Sequence, residues 1–296
     1  MGLVIANIAQ DVAPGASATT RYEDIKKSYT IQNLVLQSIA RSTTTSSAGT
    51  LLGLTSRFDR IFINTISSSN VTDWEGEHLY DFDVLALKNF PMVEAAVADN
   101  IPMGTGINIP QSPYPFNYDK PYGMAPNRGT QIQFNWIADA ATTGDAGQYS
   151  LTAVGNPDVT SPIGMLANVR DNFSAGAAGE IRNTRVIGRR LAGVYNFGTS
   201  AFSDLAAAAA YNVTTFRDHA ITESDDVKLG PVEDFYTFAK GSYEIGALID
   251  EGSEFIDLGF NVTGDPVGID ISVGDWKYRS TRGVTDAGVS YPIRII

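Results

Sequence analysis

The residues best placed to do chemistry crowd into one stretch. Asp73-Trp74-Glu75-Gly76-Glu77-His78, followed by Asp81 and Asp83, brings several carboxylates and an imidazole together. On a helix His78 and Asp81 share a face at spacing three, and Glu77 and Asp81 at spacing four. That spacing suits a hard-cation site or a carboxylate pair for acid–base work. A plainer reading competes with it: acids gathered at a helix start complement the dipole there, and a solitary histidine beside them is a partnered surface group. The plainer reading is preferred, and no residue of the stretch is assigned a catalytic or metal role.

Elsewhere the chemistry thins out. Asp225-Asp226, Asp265, Asp270 and Asp275 sit on expected turns, but none fits the spacing of a calcium loop. Four Asn-x-Ser/Thr triplets, at Asn70, Asn172, Asn212 and Asn261, are the kind that Thr-rich strands generate by chance. The chain holds no phosphate-binding loop, no nucleophile elbow and no zinc-helix motif. Gly104-Thr105-Gly106 lacks the third glycine of a dinucleotide fingerprint. Zero cysteines exclude disulfides, thiolate metal sites and cysteine nucleophiles, and two histidines, His78 and His219, leave little for triads. The expectation is a protein that is not an enzyme, with no catalytic, cofactor-binding or metal-binding residues and no cofactor.

The elements that must position these residues are mostly strands. With 296 residues, 28 glycines, 13 prolines and 43% hydrophobic residues, the chain has material for a core but too many breaks for long helices. Its net charge is −12, and the basic pairs Lys26-Lys27 and Arg189-Arg190 are isolated, so no direct nucleic-acid contact is expected. No run approaches the roughly 18 apolar residues of a spanning helix. The start, MGLVIANIAQ, lacks a basic leader and reads as a mature cytoplasmic start. This apolar segment is either a docking tail or a strand tucked onto its own sheet.

Alternation over Thr130–Ala138, with Ile132, Phe134 and Trp136 on one face, predicts a half-buried strand, and Tyr149–Val154 its hairpin partner. Ser28–Ile39 and Phe58–Thr65 read as strands around a Ser/Thr loop at Arg41–Ser47. In the second half Arg185–Phe197, Tyr211–Ile221, Gly241–Ile249, Glu254–Thr263 and Val267–Arg279 read as strands. Helices are predicted over Trp74–Asn89, capped by Asp73, and over the alanine run Ala201–Ala210. Pro102–Asn127, rich in proline and aromatics, reads as a long loop that is either pinned to its own body or a partner contact. Trp136 and Trp276 face the core by alternation.

The passage Phe58-Asp59-Arg60-Ile61-Phe62-Ile63-Asn64, a polar excursion to Trp74, then Gly76-Glu77-His78-Leu79-Tyr80-Asp81-Phe82 resembles the strand–loop–helix segment in the first jelly roll of the double jelly-roll major capsid proteins of tailless, membrane-containing icosahedral phages. The pair Gln131–Ala138 and Gln148–Val154 is similar to the strands closing that roll. The resemblance implies an all-β chain of two β-sandwich jelly rolls in tandem, with short helices and long loops. Its expected boundaries are an N-terminal arm over 1–20, a first jelly roll over 21–165, a linker over 166–184 and a second jelly roll over 185–296. It also implies a structural role as a virion capsid protein made in the host cytoplasm. Homotrimers with a nearly hexagonal outline would tile a shell, alongside penton and minor capsid proteins, with the N-terminal arm and lower edge facing an internal virion membrane. The competing class is a carbohydrate-binding or adhesive β-sandwich, a viral spike or extracellular lectin-like protein. It needs exposed aromatic platforms beside acids and amides.

Overall fold

The computed structural model describes residues 2–14, 18–41, 55, 57–65, 68–87, 102–125, 129–137, 147–174, 176–177, 180–198, 216–223, 226–229, 253–260, 267–282 and 287–296. The predicted helix Ala201–Ala210, the strand Gly241–Ile249 and nearly all of the Arg41–Ser47 loop lie outside the described residues. The chain divides into two compact units, one of Met1–Val84 with Lys88–Met165, the other of Leu85–Leu87 with Leu166–Ile296.

The first unit contains β1 (Val4–Val12), β2 (Thr19–Ile25), β3 (Thr30–Arg41), β4 (Phe58–Thr65), β5 (Ser68–Trp74), all but the last three residues of the helix Gly76–Leu87, β6 (Pro102–Pro110), β7 (Thr130–Trp136) and β8 (Gln148–Asn156). Its pairings nest: β1 with β8, β2 with β7, β3 with β6, β4 with β5, as in one long hairpin rolled on itself. The pairs β3–β8 and β4–β7 close it into two antiparallel sheets, ordered β1-β8-β3-β6 and β2-β7-β4-β5. This is a jelly roll. Inward residues alternate along the strands: Leu34, Leu36, Ile107, Ile109 and Leu151 from one sheet meet Ile61, Ile63, Ile132, Phe134 and Trp136 from the other, all buried. Across the gap between sheets, Phe134 meets Tyr149 edge-on at 4.7 Å, and within one sheet Phe58 meets both Phe134 and Trp136 edge-on at 5.4 Å. Edge-to-face rings fill the core and add attraction beyond their buried area.

The second unit repeats the same diagram. It contains β9 (Leu166–Asn168), β10 (Asp171–Phe173), β11 (Ile181–Arg185), β12 (Arg190–Gly198), β13 (Phe216–Glu223), β14 (Asp226–Leu229), β15 (Ser253–Asp257), β16 (Ile269–Asp270), β17 (Trp276–Arg282) and β18 (Gly288–Ile295). Here β10 pairs β18, β11 pairs β17, β12 pairs β15 and β13 pairs β14. The pairs β12–β18 and β13–β17 close the sheets, while β9 and β16 extend β18 and β12. Its core gathers Leu191, Val194, Ile221, Ile256, Trp276 and Tyr278. A buried polar link crosses it: the Asn196 amide on β12 donates to the Tyr278 hydroxyl on β17 at 2.8 Å and accepts from Ser290 on β18.

Several expectations change. The segment expected to be a linker over 166–184 carries β9, β10 and most of β11. These strands are only three to five residues long, and Pro/Gly punctuation surrounds them, so no alternation is visible in the sequence. The arm expected over 1–20 is β1 and the start of β2; β1 pairs with β8 from Val4↔Gly155 to Val12↔Tyr149. The loop expected from Pro102 instead begins with β6, paired to β3 without a slip from Asn33↔Pro110 to Arg41↔Pro102. Its two prolines sit at the ends of an edge strand, where a missing N–H costs no ladder bond. The polar excursion before Trp74 is itself a strand, β5. Arg185–Phe197 and Val267–Arg279 are each broken into two strands by short turns at 186–189 and 271–275.

Candidate functional surfaces

The acidic stretch is structural. Asp73 lies in β5 rather than capping the helix, and its carboxylate is gripped by the Arg60 guanidinium from β4, at 3.0 Å from Nε and 2.5 Å from Nη2. The helix begins later because Gly76 sits hard against the start of β4: a Cβ there would stand 2.4 Å from the Thr55 carbonyl and 2.6 Å from that of Phe58. Only glycine fits at that seat. Leu79 N–H donates to the Glu75 carbonyl, closing the first turn. Asp83, fully buried, accepts from the Asn108 backbone at 3.0 Å and from its amide at 2.9 and 3.1 Å. The Asn33 amide donates in turn to Asn108 Oδ1 at 2.7 Å. One carboxylate thus fastens the helix to β6 and, through Asn108, to β3.

His78 is buried, not a surface group, and its Nδ1 lies 3.1 Å from Glu75 Oε2. Burial pushes its pKa down from the ordinary 6.5 to about 3, so the ring is neutral. An unfolded chain takes up this proton near pH 6.5 while the fold refuses it until about 3. Stability is therefore full above 6.5 and drains as pH falls through that window, by about 1.4 kcal/mol per pH unit. Between pH 6.5 and 5 the native protein should lose stability that His78→Gln does not lose. Urea titrations of the two proteins at both pH values check this; parallel losses would count against it.

The other candidates do not converge either. Asp270 accepts from the backbone and hydroxyl of Ser272, which lowers its pKa, and Asp275 is paired with Arg185 at 3.0 Å and Lys277 at 3.5 Å. Asp226 begins β14; Asp225 and Asp265 lie outside the described residues. Among the described residues no group of three His, Asp or Glu side chains is arranged to hold a metal ion. Gly104 and Gly106 are mid-strand in β6. Trp74, Trp136 and Trp276 are all buried, so none offers a platform for a sugar ring. The proline-rich segment after β6 is pinned to its own body: Tyr114 is buried against Tyr122, the Gln32 amide donates to Lys120 O at 2.8 Å, and the Asn156 amide to Tyr118 O at 2.7 Å.

Sequence reasoning missed Asn33 and Asn108, whose value exists only because β3 and β6 are neighbours. No local signal marks them. What remains as functional candidates are surfaces. In the first unit, the end carrying the β2–β3 and β6–β7 connections exposes Leu3, Phe116 and Ile163. In the second, the end carrying the β11–β12 and β16–β17 connections exposes Ile187, Val273 and Ile296.

Two jelly rolls built on one eight-strand diagram make this chain a double jelly roll, a fold it shares with solved viral major capsid proteins. Solved structures match it along its whole length. The STIV MCP, from Sulfolobus turreted icosahedral virus, aligns at TM-score 0.69 and 11% identity, covering 100% of this chain and 97% of that one. The PBCV-1 virus capsid aligns at 0.61 and 9%, covering 99% and 94%. The major capsid protein of bacteriophage PM2 aligns at 0.59 and 11%, covering 99% and 97%. No protein-family model and no curated protein sequence matches the chain.

Proposed function

We propose that the chain is the structural major capsid protein of an icosahedral virus, self-assembling as pseudo-hexagonal trimers into the virion shell. The observation that carries this is the doubling itself. Two complete copies of one strand diagram in a single chain supply two sandwiches per subunit, so three subunits present six walls. The full-length likeness to solved viral capsid proteins supports the same reading. In it the protein resides in the virion capsid after synthesis in the host cytoplasm, meets its own copies along sandwich walls and penton and minor capsid proteins at special positions, and does no catalysis.

A lipid layer beneath the shell is part of this proposal, but β1 is no free arm to reach it. The reading rests instead on the exposed apolar tips at the connection ends of each unit: Leu3, Phe116 and Ile163, and Ile187, Val273 and Ile296. Isolated apolar tips of this kind suit a fluid surface, which needs no shape complementarity. The carbohydrate-binding alternative loses its tryptophan platforms to the two cores.

The test is the mass of the purified protein in solution, joined to negative-stain imaging. A trimer with a hexagonal outline is the expected result; a stable monomer that binds glycans would overturn the proposal. Flotation of the same sample with phosphatidylcholine–phosphatidylglycerol vesicles tests the lipid contact separately, and Ile187→Ser with Val273→Ser should reduce it.

A further inference from the structure

Among the described strands, β1 alone presents an unguarded sheet edge. β8 runs along one side of it, and no described strand runs along the other. From Gly2 to Gln10 the chain carries neither charge nor proline. Pairing with β8 is regular from Val4 to Asn7; the slips in register, and Asp11, come only after that. The remaining edges show the contrast. β2 carries Arg21, Glu23 and Asp24, β5 slips against β4 around Asn70, whose φ is +51°, and β6 is bracketed by Pro102 and Pro110. In the second unit β11 holds Arg182 and Arg185, β14 holds Asp226 and Lys228, β15 holds Glu254 and Asp257, and β9, β10 and β16 are two or three residues long. Charge, proline, a bulge or shortness blunts each of these against pairing with another chain.

The side chains of β1 are incompletely covered as well. Ile5 is 66% exposed on the outward face. Val4 and Ala6 share the face of the core residue Ala153, yet both are only half-buried, because the sheet stops at β1. One more strand would cover them. The chemistry of that strand follows from charge. At −12 per chain, two copies repel wherever acidic surfaces meet, and β1 is a strip on which identical surfaces meet without like charges opposed. A strand laid antiparallel on its own copy is also self-complementary about a two-fold axis.

We propose that β1 of one chain pairs antiparallel with β1 of a second copy, fusing two β1-β8-β3-β6 sheets into one continuous sheet. The mode is strand addition, in which backbone hydrogen bonds supply the attraction. Its place in an assembly rests on the trimer reading above. Contacts inside a three-fold ring are heterologous, so a two-fold pairing falls between trimers rather than within one. A single strand edge is a small contact, and it holds by repetition, since each trimer presents three.

The lack of native cysteine makes the test direct. Ile5→Cys and Asn7→Cys, both on exposed positions of β1, are oxidised singly and as a mixture, with Tyr22→Cys, exposed on β2, as the control. The readouts are a non-reducing gel and native mass. Disulfide-linked chain pairs several-fold above the control, with the mass of two trimers, are expected. No excess over the control overturns the pairing. Trimers that do not cross-link leave the shell reading standing and sink this one; monomers that cross-link into dimers do the reverse. A second arm adds Ile5→Glu or Ile5→Lys to Asn7→Cys. Each charge should keep the native melting temperature and abolish the cross-link, and an equal mixture of the two proteins should restore it, because opposite charges then face each other. A mixture no better than either protein alone would show that something other than a second copy occupies the edge, and would overturn the proposal.

Discussion

Deleting residues 1–12 is expected to unfold the first sandwich rather than merely trim it. β1 covers the outer edge of β8, with paired residues at Val4, Ile5, Ala6, Asn7, Ala9 and Val12. At about 0.5–1.5 kcal/mol net for each ladder hydrogen bond, their loss approaches the stability of a whole domain, about 5–15 kcal/mol. The deletion also lays bare the long, flat edge of a strand whose Leu151 and Ala153 belong to the core, a template for aggregation. Circular dichroism, thermal unfolding and solution mass of the shortened chain check this. A truncated protein that keeps the native melting temperature and mass would show β1 to be dispensable. The result also guards against a misreading: lost assembly after such a deletion would report a broken sandwich, not a severed tether. Leu3→Ser and Ile5→Ser, on exposed positions of the same segment, should leave the melting temperature nearly unchanged.

Gly268→Val should be the most damaging single substitution in the second sandwich. Gly268 has φ of +71°, and a Cβ there would lie 2.0 Å from the Leu191 carbonyl oxygen and 2.7 Å from its carbon. A β-branched residue in the left-handed region costs about 1–2 kcal/mol from conformation alone. The steric overlap adds more, because β12 cannot move aside: it is laddered to β18 on one side and to β15 and β16 on the other. The Arg190 guanidinium also donates to the carbonyls of Val267 and Gly268, at 2.7 Å for the latter, so displacing the turn breaks a second tie. A loss of about 4 kcal/mol or more is expected, in the range reserved for strained or overpacked sites. Denaturant unfolding measures it, and a loss below about 1 kcal/mol would mean that the turn can relax.

Legibility followed the range of the interactions. β4 and β7 were readable because each has one wet face and one dry face: the burial of Thr130–Trp136 alternates without a break, and two-residue periodicity is a local property. The helix after Trp74 was readable because Leu79, Phe82 and Leu85 recur at spacings of three and four, but its start was not. That start depends on Gly76 lying against the Thr55 and Phe58 carbonyls, a contact from another element. β6 was hidden because prolines bracket it, and only its place at a sheet edge makes them harmless. β9 and β10 were hidden because strands of three residues carry no period; their pairing with β18 decides them.

The acidic stretch teaches the same lesson for chemistry. Composition placed carboxylates and a histidine together, and a shared helix face was a fair expectation. Only the fold sends Asp73 to Arg60, His78 into the interior beside Glu75 and Asp83 to Asn108, three separate structural tasks in place of one site.

By itself, then, the sequence determined that this is an all-β chain in two halves, because alternation, glycine and proline act within a few residues of one another. It also determined that cysteine chemistry is absent and that only two histidines are available, since residue types are composition. Whether the second half could complete a jelly roll was decided only by tertiary structure. The two short strands that finish its first sheet lie in the stretch 166–173, and their backbones are fixed by β18, more than a hundred residues away. Long-range hydrogen bonds leave no mark on local sequence. They turn an uneven pair of halves into two matching sandwiches.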